Sequence, residues 1–169
     1  MEIKDVAMMS YERMWKVTDG ALEGLTHEEF ARRPNGHSNS IGWIAWHMAR
    51  VEDRWTNMVL NKGKQLWETH GWAEKIGMPN DPNYSGGGMT PDQVQLFKTP
   101  AVQQVKDYWS AVRATTKECY AKLTPSMLDQ MVQTPFRREL KVGDVISHVL
   151  CELNQHAGQV AYLRGYYKG

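Results

Sequence analysis

Hydrophobic residues recur at helical spacing along most of the chain, and no alternating run of β-branched residues is long enough to predict a strand. The pattern predicts an all-α fold with four long amphipathic helices. Their expected ranges are about 4–25, from residue 39 or 40 to about 60, from the segment "TPAVQQ" to about 122, and about 142–164. We expect Thr99 and Pro100 to cap and begin the third helix, and Gly165 to end the fourth.

Shorter elements are predicted between these helices. Thr26 and Glu29 have the spacing of a capping box and begin a short helix that the segment "RRPNG" ends. Residues 61–98 form a long connection broken by glycines and prolines, in which Thr90 and Pro91 begin another short helix. Because this crossover lets the second and third long helices run parallel, the sequence predicts an up-down-down-up four-helix bundle.

Length and composition favour one domain over residues 1–169, since 41% hydrophobic residues can fill one sizeable core. A net charge of +1 with interspersed acids and bases lacks the basic stripe that binds nucleic acid. The N-terminus shows neither a basic leader nor a long apolar run, so we expect a cytoplasmic protein without a membrane segment. Cys119 and Cys151 are expected as free thiols, with Cys151 a small buried hydrophobe.

Two ionisable residues stand out in the last long helix. Glu152 and His156 lie in or beside its apolar stripe, four residues apart, so both can contact one ion. The alternative is an ordinary Glu–His contact on the helix surface. His47 favours the metal site, because it lies on the inward side of the second helix. The apolar stripe on that side consists of Ile41, Ile44, Met48, Val51, Trp55 and Met58. The three residues suit a catalytic divalent site, with zinc or nickel the favoured metals and iron or manganese compatible.

For several other residues, two interpretations remain open. His148 is either a rival ligand or a residue that orients ligands, and Gln159 could orient ligands or substrate. The segment "RVEDR", residues 50–54, is interpreted as solvated charge, with contact of Arg50 and Arg54 to an anionic substrate as the alternative. Residues Trp43, Trp46, Trp67 and Trp72 either line a ligand pocket or pack in the core, and His27, His37 and His70 are expected in solvent. The segment "NYSGGGMT" lacks the ending of a phosphate loop and is interpreted as a flexible lid or turn.

Two segments carry a resemblance to a known family. The segment "NSIGWIAWHMARVEDRW", with His47, and the segment "ELNQHAGQ", with Glu152 and His156, resemble the second- and fourth-helix motifs of the DinB/YfiT-like family of metal-binding four-helix bundles. The connection "WETHGWAEKIGMP" is similar to that of family members. Many members carry a third histidine where this chain has Glu152, and the His/Glu/His set resembles the branch that includes mycothiol-dependent maleylpyruvate isomerase. The resemblance also implies a homodimer.

The resemblance further implies a transferase or isomerase that uses a low-molecular-weight thiol such as bacillithiol or mycothiol. A divalent metal with an open position could bind that thiol as a thiolate and direct it at a small electrophile, with no catalytic residue beyond the metal centre. The alternatives are a hydrolase that activates water at the same centre, and a protein that binds metal or a small ligand without turnover. Because the core is large enough to fold alone, the metal is expected to serve function more than folding.

Overall fold

The computed structural model describes residues 1–168, and their fold is the predicted all-α bundle. The eight helices are α1 (Ile3–Leu22), α2 (His27–Ala31), α3 (Ile41–Asp53), α4 (Leu66–Thr69), α5 (Trp72–Ile76), α6 (Pro91–Gln95), α7 (Val102–Ala121) and α8 (Val142–Lys168). A π-helical segment, Arg54–Leu60, continues α3, and a 3-10 turn spans Pro125–Met127. Strands β1 (Met131–Gln133) and β2 (Glu139–Lys141) pair antiparallel in a hairpin.

Side-chain contacts between α1, α3, α7 and α8 establish the directions of the four long helices. Helices α1 and α8 run parallel, because Ser10 lies against Asn154 and Glu23 against Arg164. The pair α3 and α7 is also parallel, with Asp53 bonded to Tyr108 and Asn57 to Thr115. Helix α3 runs antiparallel to α8, and α1 runs antiparallel to α7. These directions confirm the up-down-down-up arrangement.

Helix α3 forms the centre of the bundle, and all of its residues are buried. The Ser40 hydroxyl caps its first turn by accepting from the Trp43 N–H. After Asp53 the hydrogen bonding widens to the π-helical pattern, which changes the angular spacing of the side chains. Met58, expected on the inward stripe, is consequently exposed.

The crossover between α3 and α7 is held against the bundle by a buried ion pair. The Asp53 carboxylate accepts from the Leu66 and Trp67 backbone N–H groups at the start of α4. Arg50, 3.8 Å from Asp53, donates to three crossover carbonyls, those of Asp81, Pro82 and Tyr84. The expectation that this stretch carries solvated charge was wrong for Arg50, Glu52 and Asp53, because the crossover and α7 cover them completely.

Three further local predictions were wrong. Ala101, not Thr99, is the N-cap of α7, where the Gln104 side chain accepts the Ala101 N–H, and Pro100 lies outside the helix. Gly165 does not end α8, which continues to Lys168 while the Tyr167 hydroxyl donates to the Arg32 carbonyl. The β hairpin was missed because strands of three residues are too short for an alternating pattern to be seen.

Across residues 1–168, no helix has the combination of length and apolar character that crossing a membrane requires.

Candidate metal centre

Three side chains from antiparallel helices meet at one point of the bundle. His47 comes from the middle of α3, and Glu152 and His156 come from successive turns of α8. The His47 Nε2 lies 3.5 Å from Glu152 Oε1, and the two imidazole centroids are 5.0 Å apart. One donor atom from each residue lies within 4.8 Å of the other two, which is close enough for one ion to contact all three.

His47 is fixed from two sides. Its ring stacks on Trp43 at a centroid distance of 5.0 Å, and its Nδ1 lies 2.5 Å from the Ser85 carbonyl oxygen. Gly86 permits this approach, since a Cβ there would lie 2.7 Å from the Trp43 ring and 3.1 Å from His47 Nδ1. The sequence interpretation missed Ser85, although the glycine run was the signal of a close backbone approach.

The Ser85 contact determines how His47 faces the cluster. A carbonyl can only accept, so His47 Nδ1 carries a proton and donates it. In the neutral ring, Nε2 then directs a lone pair toward the Glu152 carboxylate, which also only accepts. Two acceptors facing each other in a buried position require either a second proton on the ring or a cation between them.

The surroundings of His156 and Glu152 favour the protonation states that suit a cation. The His156 Nδ1 donates to Gln159 Oε1 at 2.8 Å, which leaves its Nε2 available. Burial lowers the pKa of His156 below its usual value, against the effect of the Gln159 contact and with a further lowering by His47, and this favours the neutral ring. The contact with His47 and the charges of nearby imidazoles lower the pKa of Glu152, against the effect of burial. The donor set therefore fits a divalent metal.

His148 lies beside the cluster and not within it. Its Nε2 is 3.2 Å from the second carboxylate oxygen of Glu152, its ring packs edge-on against Trp55, and half of its side chain is exposed. The geometry is that of a residue orienting Glu152 from outside. His27, His37 and His70 are exposed, as expected.

The cluster forms the floor of an open cavity of about 480 Å³. Trp55 and Phe136 provide its apolar walls, and Arg54 and Arg138 also line it. Cys151 lines this cavity too and is exposed, so the prediction of a buried cysteine was wrong. The reason is that its face of α8 points to the open end of the cavity and not into the core.

The tryptophans singled out from the sequence do not line this cavity. Trp46 and Trp67 are fully buried in the core, Trp43 lies behind His47, and Trp72 packs against Tyr108. The cavity tryptophan is Trp55, which the sequence pattern placed on the inward stripe.

A bundle of four long helices with a histidine–glutamate–histidine cluster below an open cavity defines a helical protein with a candidate divalent-metal centre. The model of the DinB superfamily matches residues 10–160, and the chain belongs to this superfamily. The structure is also similar to the crystal structure of a conserved protein from Enterococcus faecalis, with a TM-score of 0.84 and 21% sequence identity over 97% of this chain and 96% of that one. No match is found among curated proteins.

Proposed function

We propose that His47, Glu152 and His156 bind a divalent metal ion, zinc or nickel, and that the centre supports transfer of a small thiol to an electrophile. The observation that carries the proposal is the opposition of His47 Nε2 and the Glu152 carboxylate, 3.5 Å apart at the floor of an open cavity. A cation held by the three side chains would resolve this opposition, and the adjoining cavity would give a small molecule access to it.

A divalent metal bound there would lower the pKa of a coordinating thiol and so favour the nucleophilic thiolate. The protein's own residues supply the rest. Ser85 and Trp43 hold His47 in one orientation, and Gln159 does the same for His156. Trp55 and Phe136 offer apolar surface against which an electrophile can pack. In the transfer, the thiol sulfur bonds to the electrophilic carbon, the leaving group departs with its bonding electrons, and the thiol proton passes to solvent.

Metal binding is tested by elemental analysis and by titration of zinc and nickel into wild type, His47→Ala and His156→Ala. We expect stoichiometric binding by wild type and a large loss of affinity in both variants. His70→Ala is the matched control, because it removes an exposed imidazole that lies outside the three-residue group and contacts none of its members. Equal binding by wild type and the two ligand variants would refute the assignment.

Transfer is tested by thiol-dependent consumption of monochlorobimane, a neutral electrophile, with bacillithiol and with cysteine as the thiol. The reaction should require metal, stop on chelation and be absent in His156→Ala. Cys151→Ala should retain it, which separates the added thiol from the protein's own thiol in the cavity.

The two alternatives give different results in the same assays. Metal-dependent ester cleavage without added thiol, together with no thiol transfer, would favour a hydrolase. Tight metal binding with neither reaction over a broad substrate panel would favour a binding protein without turnover.

A further inference from the structure

Two arginines one helical turn apart have opposite environments. The Arg50 guanidinium is fully buried and its donors are taken by Tyr108, by three crossover carbonyls and by the Asp53 ion pair, while it also lies over the Trp67 ring. The Arg54 guanidinium makes one hydrogen bond within residues 1–168, from Nη2 to the Pro82 carbonyl at 2.8 Å. The hydrogen-bond donors of the Arg50 side chain are thus satisfied within the protein, whereas most of those of Arg54 are not.

Arg54 is partly buried and lines the cavity above the candidate metal centre. Among the described residues no carboxylate lies within 4.0 Å of its guanidinium, and its buried Nε has no hydrogen-bond partner. A guanidinium offers five N–H donors, and leaving them unpaired in a partly buried position is costly. The contact with the Pro82 carbonyl occupies one of these donors, and no hydrogen bond among the described residues occupies the others.

Arg54 also lies on the same side of its helix as His47. Seven residues separate them, which is about two turns, so both side chains face the cavity. Arg54 and Arg50, which is one turn nearer to His47, both donate to the Pro82 carbonyl, so the Arg54 guanidinium lies toward the His47 end of the helix. Glu152 is the only acid among the residues lining this cavity, and it belongs to the metal group. The remaining charge of the cavity is positive.

We propose that Arg54 is a carboxylate subsite, so that the cavity takes small molecules carrying a carboxylate within a few bonds of the reacting atom. This inference rests on the proposed function, since it places the second contact of a ligand whose first contact is the metal centre. Two of the unpaired Arg54 N–H groups would donate to the carboxylate in the bidentate geometry that guanidinium favours. The carboxylate could belong to the thiol or to the electrophile.

The first experiment measures binding to the zinc-loaded protein by calorimetry. The probes are 3-mercaptopropionate and its neutral analogue 3-mercaptopropanol. Wild type should bind the acid about tenfold or more tightly than the alcohol, as a charge-assisted contact requires. Arg54→Gln should lose this preference while keeping its affinity for the alcohol.

A second arm locates the carboxylate. With the metal occupied by saturating 2-mercaptoethanol, succinate and succinamide are titrated into wild type and Arg54→Gln. If succinate binds and succinamide does not, and if Arg54→Gln abolishes this binding, the carboxylate belongs to the electrophilic substrate. A preference seen only with 3-mercaptopropionate assigns it to the thiol, and either result supports the subsite.

Arg138→Gln is the matched control, because it removes the same charge from an exposed position at the rim of the same cavity. It should change the acid preference by less than about twofold, as expected for a solvent-screened charge. Arg54→Lys keeps the charge but not the planar fork and should be intermediate. Thermal unfolding of each variant identifies any that does not fold, and Arg54→Lys then carries the test.

The outcomes separate this inference from the proposed function. Failure of both thiols to bind zinc-loaded wild type would count against the metal-centre proposal itself. Equal binding of acid and alcohol by wild type, with no Arg54-dependent succinate binding, would overturn the subsite alone. A preference for the acid that persists in Arg54→Gln would also overturn the subsite, because the acid would then be chelating the metal. An equal loss of the preference in Arg138→Gln would overturn it too, because the preference would then depend only on net charge.

Discussion

At the scale of single residues, the candidate centre depends on which nitrogen of each histidine carries a proton. A main-chain carbonyl determines this for His47, whereas a side-chain amide determines it for His156. The His156 contact is with Gln159, on the exposed face of α8. Such partners orient a ligand without contacting the metal, and their loss weakens binding by about 10–100-fold.

Gln159→Leu is therefore expected to lower metal affinity by about tenfold. The physical reason is that the His156 ring would lose the acceptor that holds Nδ1–H and Nε2 in one orientation. Gln155→Leu is the control, since Gln155 lines the same cavity but is not bonded to a ligand. Competition titration with a chromophoric chelator measures both. Unchanged affinity in Gln159→Leu would contradict the orienting role.

A second residue-scale feature lies away from the centre, at Glu52 in the core. Its Oε2 accepts from the Trp15 and Trp109 indoles, and its Oε1 accepts from the Thr116 hydroxyl. Burial raises the pKa of Glu52 above its usual range, although these three hydrogen bonds act in the opposite direction. Between the unfolded and folded pKa values the folded protein therefore binds more protons, and the stability from this group falls as pH rises.

Glu52→Gln is expected to remove this decrease in folding stability with rising pH. The amide oxygen can accept from both indoles, and its NH₂ can donate to Thr116, whose hydroxyl already lies 3.2 Å from the Val112 carbonyl. Relative to wild type, the variant should gain stability between pH 5 and pH 8, as measured by urea unfolding at both values. Glu118→Gln, at an exposed position of α7, should show no such gain. A constant difference between wild type and Glu52→Gln across this range would show that the carboxylate stays ionised.

At the scale of elements, the crossover between α3 and α7 is part of the site. The Arg50–Asp53 pair fixes residues 66–84 against the bundle, and this fixing puts the Ser85 carbonyl onto His47. The segment "NYSGGGMT", which the sequence analysis interpreted as a flexible lid or turn, thus supports the candidate ligand His47 through Ser85. A substitution in the crossover that moves Ser85 should therefore change metal affinity, because it changes the position of His47.

Two glycines of the crossover test this coupling. Both have positive φ, 92° at Gly86 and 78° at Gly88, so alanine at either position costs about 1–3 kcal/mol of backbone strain. Only at Gly86 would the added Cβ also meet Trp43 and His47. We expect Gly86→Ala to weaken metal binding by about tenfold or more, and Gly88→Ala to leave it unchanged. Equal effects on metal affinity in a titration would show that His47 does not depend on this loop.

At the scale of the whole molecule, the hydrophobic core is formed by residues other than the three candidate ligands. Trp46, Trp67, Trp109 and many aliphatic residues form one buried cluster that extends from α1 to α8. The candidate ligands lie at the edge of this cluster, where the cavity opens. A bundle with such a core can fold before it binds metal.

Removal of the metal is accordingly expected to leave the helical far-ultraviolet signal largely intact. The melting temperature should still fall, because a ligand present at 100 times its Kd stabilises the folded state by about 2.7 kcal/mol. Circular dichroism with and without a chelator measures both quantities. Collapse of the helical signal on chelation would indicate a structural metal.

The expectation of a homodimer also belongs to this scale. Ile3, Val6 and Met9 expose apolar surface along α1, beside a groove formed with Leu128 and Leu150. Light scattering at two protein concentrations should give a mass near twice 19.4 kDa. A monomer mass at both concentrations would contradict this expectation.

The helices and the three candidate ligands could be predicted because both depend on local spacing. A period of 3.6 residues marks which side of a helix faces the core, and His47, Glu152 and His156 break the apolar stripes of α3 and α8. The model of the DinB superfamily matches the chain over both motifs. The structure brings the three residues together because the bundle puts those two stripes face to face.

The sequence by itself determined the number of long helices, their order and the residues that face inward. The tertiary structure alone decided which polar groups are solvated: Arg50 and Asp53 are buried, Arg54 has free donors, and Cys151 opens to the cavity. It also brought the Ser85 carbonyl to His47 across 38 positions of the chain. The physical reason is that helical periodicity is a property of neighbouring residues, whereas burial and hydrogen-bond partners depend on segments that are distant in sequence and adjacent only after folding.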